Sequence, residues 1–125
     1  MSTKRLLIVE DDAGIMSVYI SMVRANRFNA DLALDGPRAV EFAKANFPDV
    51  LLLDWALPNG MLGRDVWDAL QALPGKKEFK TIVCTAEKDQ RLDDHLRVIQ
   101  PLAVIEKALP ETMPTLIAKL KDLLA

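Results

Sequence analysis

Asp49-Val50-Leu51-Leu52-Leu53-Asp54 is the stretch whose reading decides the fold. Four consecutive apolar residues stand between two carboxylates, with Pro48 ahead of them as a breaker. A run this short and this apolar predicts a strand buried on both faces, as in parallel sheets covered by helices. Ligands of such sheets sit beyond the carboxyl ends of the strands, which is where Asp54 falls. An aspartate there can equally do no more than cap the next turn. Taken alone, Asp54 leaves both readings open.

Working outward, apolar runs alternate with helical patterns to both ends of the chain, the signature of repeated βα units. Residues 5–10 read as a first strand, followed by a helix over about 12–25. Ile15, Val18, Tyr19, Met22 and Val23 share one face of that helix at helical spacing. Residues 29–34 read as a second strand, closed by Asp35-Gly36-Pro37, a turn signal with proline placed to open the second helix. That helix carries Val40, Ala43 and Phe47 and stops before Pro48. Beyond Asp54, Pro58-Asn59-Gly60-Met61-Leu62-Gly63 reads as a loop rich in breakers. A third helix then presents Val66, Trp67, Leu70 and Leu73. Residues 81–84 and 102–105 are the remaining strands. Between them a mostly charged helix over about 89–99 turns Leu92, Leu96 and Ile99 inward. The last helix, from about Thr112, repeats Leu116, Ile117, Leu120, Leu123 and Leu124.

Five strands and five helices in strict alternation predict an α/β, flavodoxin-like doubly wound (βα)5 sandwich. Its parallel five-stranded sheet would run 2-1-3-4-5. At 125 residues the sequence reads as one domain over 1–125, with no output domain expected. No apolar run approaches the roughly 20 residues needed to span a bilayer, and the short apolar segment near the start lacks a signal-peptide pattern. A cytoplasmic location follows as the expectation. One cysteine, Cys84, excludes an internal disulfide and argues against a cysteine metal cluster. A net charge of −2 gives no electrostatic footprint for nucleic acid.

In the order 2-1-3-4-5, strands 1 and 3 are neighbours at the switch point, so Glu10-Asp11-Asp12 and Asp54 converge in one crevice. Crowded carboxylates repel one another unless a cation neutralises them, and an all-oxygen donor set suits Mg²⁺ before Ca²⁺ or a transition metal. The fourth strand ends at Thr85 and the fifth is followed by Lys107. Acids, a hydroxyl and an ammonium at the ends of different parallel strands make a site for handling a phosphoryl group. One carboxylate can serve as the nucleophile, forming an acyl phosphate.

Val9-Glu10-Asp11-Asp12, Leu53-Asp54 with Pro58, Val83-Cys84-Thr85-Ala86 and Glu106-Lys107 resemble the receiver domain of bacterial two-component response regulators. The resemblance covers the whole chain. It implies that Asp54 is the phosphoacceptor, supplied by the phosphohistidine of a sensor histidine kinase or a histidine phosphotransfer protein. It further implies that Asp11, Asp54 and the backbone carbonyl of Ala56 bind Mg²⁺, with Glu10 reaching it through water. Thr85 and Lys107 would contact the phosphoryl group. Such a chain catalyses its own phosphorylation and dephosphorylation and turns over no separate substrate. Its downstream target would dock on the helix 4–strand 5–helix 5 face. Pairing Asp11-Asp12 in place of Glu10-Asp11 is the alternative; Asp12 also suits an N-cap.

Three departures bear on output. Val104 stands where the family has an aromatic residue that follows the threonine inward. Ala108 stands where proline follows the lysine, often through a cis bond; without proline that bond costs about 2.5–4 kcal/mol and is expected trans. The loop after Pro58 is one residue longer than usual. A receiver-like adaptor that binds its partner independently of phosphate is therefore a second reading. A phosphohydrolase with Asp54 as transient nucleophile is a third, but a further acid–base group is missing. His95 reads as a solvated surface residue, Cys84 as a small apolar side chain, and Trp55 and Trp67 as packing. Trp55 is expected to point away from Asp54's side chain.

Overall fold

The computed structural model describes residues 4–55, 57, 62–85, 90–106 and 110–125. Its elements run β1 (Leu6–Val9), α1 (Ala13–Asn26), β2 (Ala30–Ala33), α2 (Gly36–Ala45), β3 (Val50–Asp54), α3 (Gly63–Gln71), β4 (Lys80–Thr85), α4 (Gln90–Ile99), β5 (Ala103–Glu106) and α5 (Met113–Leu123). A 3₁₀ turn, Pro110–Thr112, leads into α5. The strands form one parallel sheet in the order β2-β1-β3-β4-β5. This is the doubly wound topology expected from the alternation of runs.

Every residue of β1 and of β3 is buried, because helices cover both faces of the central strands. Alternation along each strand deals its side chains to two cores. Leu6, Ile8, Val50, Leu52, Ile82, Cys84 and Ile105 face α1 and α5, packing with Met16, Tyr19, Met22, Leu116 and Leu120. Leu7, Val9, Leu51 and Leu53 face α2 and α3 through Ala39, Ala43, Val66 and Leu70. A third cluster, Trp55, Val83, Leu92 and Ile99, seats α4 on the second face. Each fully buried leucine or isoleucine contributes about 1.5–3 kcal/mol by removal from water.

Local signals set the helix ends. The Asp12 carboxylate accepts a hydrogen bond from Ile15 N at 2.9 Å and starts α1. Arg27 ends α1 in the left-handed conformation, φ 55°, with its N–H bonded to Arg24 O and that of Phe28 to Val23 O. Asp35 repeats the N-cap on α2, accepting from Arg38 N at 2.8 Å, with Pro37 in the first turn.

Five expectations are corrected. Val18 is half exposed and Met16 is buried in its stead, beside the expected Tyr19 and Met22, with Ile15 and Val23 partly buried against the same core. The helix is apolar on too many sides for period alone to choose its inner stripe. Phe47 lies beyond the end of α2, where it meets Phe79 edge to face at 5.6 Å, and Leu73 lies beyond α3. Gly63 is the first residue of α3 rather than the end of a loop. His95 is partly buried between Trp55 and Arg64 rather than solvated. The loop around Pro58, including Ala56, and the segment from Lys107 to Leu109 lie outside the described residues.

Candidate functional site

Register places the acids. Val9 pairs with Leu53 across β1 and β3, so Glu10, one residue on, comes level with Asp54 at the carboxyl edge of the sheet. Both belong to the face that carries Ile8 and Leu52, above α1 and α5. The carboxylates of Glu10, Asp11 and Asp54 each offer an oxygen, and these atoms all lie within 4.8 Å of one another. Glu10 and Asp54 are almost fully buried, at 0% and 2% exposure, whereas Asp11 is exposed at the rim. Glu10 is oriented by its own chain, its Oε2 accepting from Asp12 N at 3.2 Å and its N–H bonding Ala33 O at 3.0 Å. Asp12 stays outside the cluster and caps α1.

Two unit negative charges about 5 Å apart repel by roughly 3 kcal/mol at an effective dielectric constant of about 20. Three such groups, two of them taken out of water, therefore fit a compact divalent cation. Their donors are all hard carboxylate oxygens, the set that favours Mg²⁺ or Ca²⁺. The Ala56 carbonyl assigned to the same ion lies outside the described residues.

Thr85 ends β4 one residue past the Asp54–Cys84 pair and is buried, opposite Glu106 of β5. Lys107 follows β5 outside the described residues. The structure thus brings Glu10, Asp11 and Asp54 together and sets Thr85 at the end of the adjacent strand.

Three features around the site were not recognised in the sequence. Beneath the acids, the Tyr19 hydroxyl donates to Cys84 Sγ at 3.6 Å. Burial pushes its pKa far above the ordinary phenol value, and Cys84, Glu10 and Asp54 add to the shift. The second is Gly63, whose N–H bonds Trp55 O at 2.7 Å. A Cβ built there would sit 2.7 Å from Asp54 O. The third is the contact of the His95 ring with Trp55, ring centres 5.1 Å apart; Trp55 itself turns to the opposite face from Asp54, as alternation predicts. Val104, half-buried, packs against the same cluster. Only the glycine had a sequence signal, its place between a breaker-rich loop and an apolar helix.

The fold and the acidic cluster define a class, and comparison with known proteins places the chain within it. The family model described as the response regulator receiver domain matches residues 6–120. The chain belongs to that family. Protein Rrf1 of Nitratidesulfovibrio vulgaris is 44% identical over 55 residues, covering 44% of this chain and 40% of its own length. The phosphate regulon transcriptional regulatory protein PhoB of Klebsiella pneumoniae is 28% identical over 118 residues, covering 94% of this chain and 50% of its own. The chain spans about half, or less, of the length of these curated relatives. Among solved structures, Vibrio cholerae chemotaxis protein CheY4 superposes with a TM-score of 0.82 at 20% identity, covering 97% of this chain and 98% of its own. A CheY-like receiver domain protein from Methanospirillum hungatei gives 0.78 at 22%, covering 98% and 97%. These two likenesses speak for the fold.

Proposed function

We propose that the chain is a phosphoacceptor signalling domain, one receiver over 1–125, in which Asp54 takes a phosphoryl group from the phosphohistidine of a sensor kinase or histidine phosphotransfer protein. The observation that carries the reading is the convergence of Glu10, Asp11 and Asp54 at the switch point of the sheet, with Thr85 at the neighbouring strand end. A carboxylate oxygen of Asp54 attacks phosphorus, the phosphorus–nitrogen bond of the donor breaks, and its electron pair leaves with the imidazole. The product is an aspartyl phosphate, which water later hydrolyses. Asp11 and Asp54, with the Ala56 carbonyl, would hold Mg²⁺ directly, and Glu10 would hold it through water. The ion supplies charge neutralisation at the transferring oxygens. Thr85 donates its hydroxyl to a phosphoryl oxygen and Lys107 offers its ammonium to another.

The receiver turns over no separate substrate, and its phosphorylated form signals through a protein–protein contact. Val98 on α4 and Leu102 before β5 are exposed apolar residues and support the α4–β5–α5 face as the docking surface. Among the described residues no helix is long and apolar enough to cross a membrane, in keeping with work in the bacterial cytoplasm. Val104 favours a second reading, an adaptor whose partner contact is indifferent to phosphate, because no aromatic residue occupies that position on β5.

Intact-mass measurement of the wild type and Asp54→Asn with Mg²⁺ and acetyl phosphate tests the proposal. A gain of one phosphoryl group in the wild type alone is expected. Equal labelling of both proteins would remove Asp54 from its role. Equal partner affinity with and without the phosphoryl group would favour the adaptor.

A further inference from the structure

Arg64 on α3 and His95 on α4 meet across the surface between the two helices, Nη1 to Nδ1 at 3.3 Å. A guanidinium has only donors, so the contact is a hydrogen bond only if Nδ1 presents a lone pair. That form is the neutral imidazole with its proton on Nε2, the one tautomer in which Arg64 and His95 hydrogen-bond. Arg64 is fixed from two further sides. Its Nε donates to Asp68 Oδ1 at 2.9 Å, and its guanidinium carbon lies 5.8 Å from the centre of the Trp67 ring. The His95 ring in turn lies against Trp55, ring centres 5.1 Å apart. Trp55 is the residue after Asp54, bound through its N–H to Cys84 O at 3.0 Å and through its carbonyl to Gly63 N, the first residue of α3.

We propose that this α3–α4 contact is a proton-sensitive latch, closed by neutral His95 and released when His95 is protonated, and that Trp55 links it to the charge at Asp54. Protonation does two things at once. It removes the acceptor that Arg64 uses, and it places an imidazolium against a guanidinium. The charged groups facing His95 decide whether this repulsion is relieved locally. From α3 these are Arg64 and, behind it, Asp68, which Arg64 already engages. On α4 itself, Asp94 and Arg97 pair with each other at the exposed side, 3.0 Å apart. From the end of β3 comes the uncharged Trp55. The bond to Asp68 and the Trp67 stack hold Arg64 in place, so His95 and its turn of α4 are the parts that move.

The link to Asp54 rests on the proposed function; the latch does not. Trp55 is buried to 9% exposure and tied at both backbone ends, so a displacement of Asp54 on gaining charge reaches the indole. By reciprocity, whatever charge at Asp54 does to the latch, the latch does to the free energy of adding that charge.

His95 is the single histidine of the chain, so its ring resonances need no assignment. NMR titration of the wild type and Arg64→Gln from about pH 5 to about pH 8 spans the interval in which imidazoles change charge. Removing the guanidinium takes away a cation that faces the imidazolium, so the midpoints of the two proteins are expected to differ. Equal midpoints in the two proteins would overturn the latch. Emission of the two tryptophans, Trp55 beside His95 and Trp67 beside Arg64, should follow the same midpoint in the wild type and lose that transition in His95→Gln; an unaltered transition in the variant counts against the ring contact of His95. The titration is then repeated with Mg²⁺ and beryllofluoride, a phosphoryl mimic, with occupancy read by fluorine NMR. A shifted midpoint in the occupied protein is expected, and an unmoved one refutes the link to Asp54. Failure of beryllofluoride to bind would instead count against the proposed function, while the pH titrations decide the latch by themselves.

Discussion

Gly63→Ala puts one methyl group where the fold leaves no room for it. The new Cβ would stand 2.7 Å from Asp54 O, 3.1 Å from Leu53 Cγ and 3.2 Å from Trp55 Cα. Ordinary contact begins at 3.4 Å, so the carbonyl and the helix start must separate by about 0.7 Å (3.4 − 2.7). Neither yields readily. Asp54 lies in a strand paired on both sides, and the Gly63 N–H is tied to Trp55 O at 2.7 Å. Overpacking of this kind costs about 1–3 kcal/mol. Replacing glycine at a helix start returns less than the roughly 1 kcal/mol seen in a helix interior. The net expectation is a loss of about 1–2 kcal/mol. With a urea slope of about 2 kcal/mol/M, the middle of the usual range, the unfolding midpoint should fall by about 0.5–1 M. Because the displaced atom is Asp54's own carbonyl, Mg²⁺ titration followed by tryptophan emission should weaken in the same variant. A variant as stable as the wild type, with unchanged metal response, would show that the β3–α3 junction is not the close approach described.

Asp49 carries a pH dependence of defined sign. Burial alone would raise its pKa, but the Arg5 N–H at 2.8 Å and Lys77 Nζ at 3.0 Å together hold it below the usual carboxylate range. Its contribution is present above the unfolded value of about 4 and lost as pH falls through the lower folded value. Asp49→Asn should therefore cost about 1 kcal/mol at neutral pH, with the gap to wild type closing in acid; a constant gap in urea melts refutes this. Tyr19, the single tyrosine, has its pKa raised, so its share of stability is constant below about pH 10 and lost above it. Phenolate absorbance should appear only with alkaline unfolding, and titration of the native fold near the free value would contradict it. Arg27→Gly should raise stability by about 0.5–1 kcal/mol by relieving its left-handed backbone, measurable as a higher urea midpoint; a lower midpoint would show that Arg27's side chain matters more than its backbone.

The sheet was readable because each strand is a short apolar run closed by a carboxylate, a hydroxyl or a turn, and those closures are the site. Val50 to Leu53 admits one interpretation, and the order of strands follows from alternation. The inner face of α1 was not readable, because Ile15, Met16, Val18, Tyr19, Ile20, Met22 and Val23 offer more than one apolar stripe. Period constrains a helix only when some of its faces are polar. Glu10, Asp11 and Asp54 could be brought together from topology alone. The environment of His95 could not, since its partner Arg64 is 31 residues away on another helix. The tightness at Gly63 is likewise a property of two backbones meeting, visible in one dimension only as a glycine near a turn.

The alternation between Asp54, the last residue of β3, and Trp55, the next, leaves a chromophore on each side of the sheet. The sole tyrosine looks up at the acids from the α1–α5 side, while Trp55 looks out from the α3–α4 side of the same strand end. Phenol absorbance and indole emission can be read independently in one cuvette, without a label. A perturbation that changes one colour and not the other identifies the half of the sandwich through which it travels.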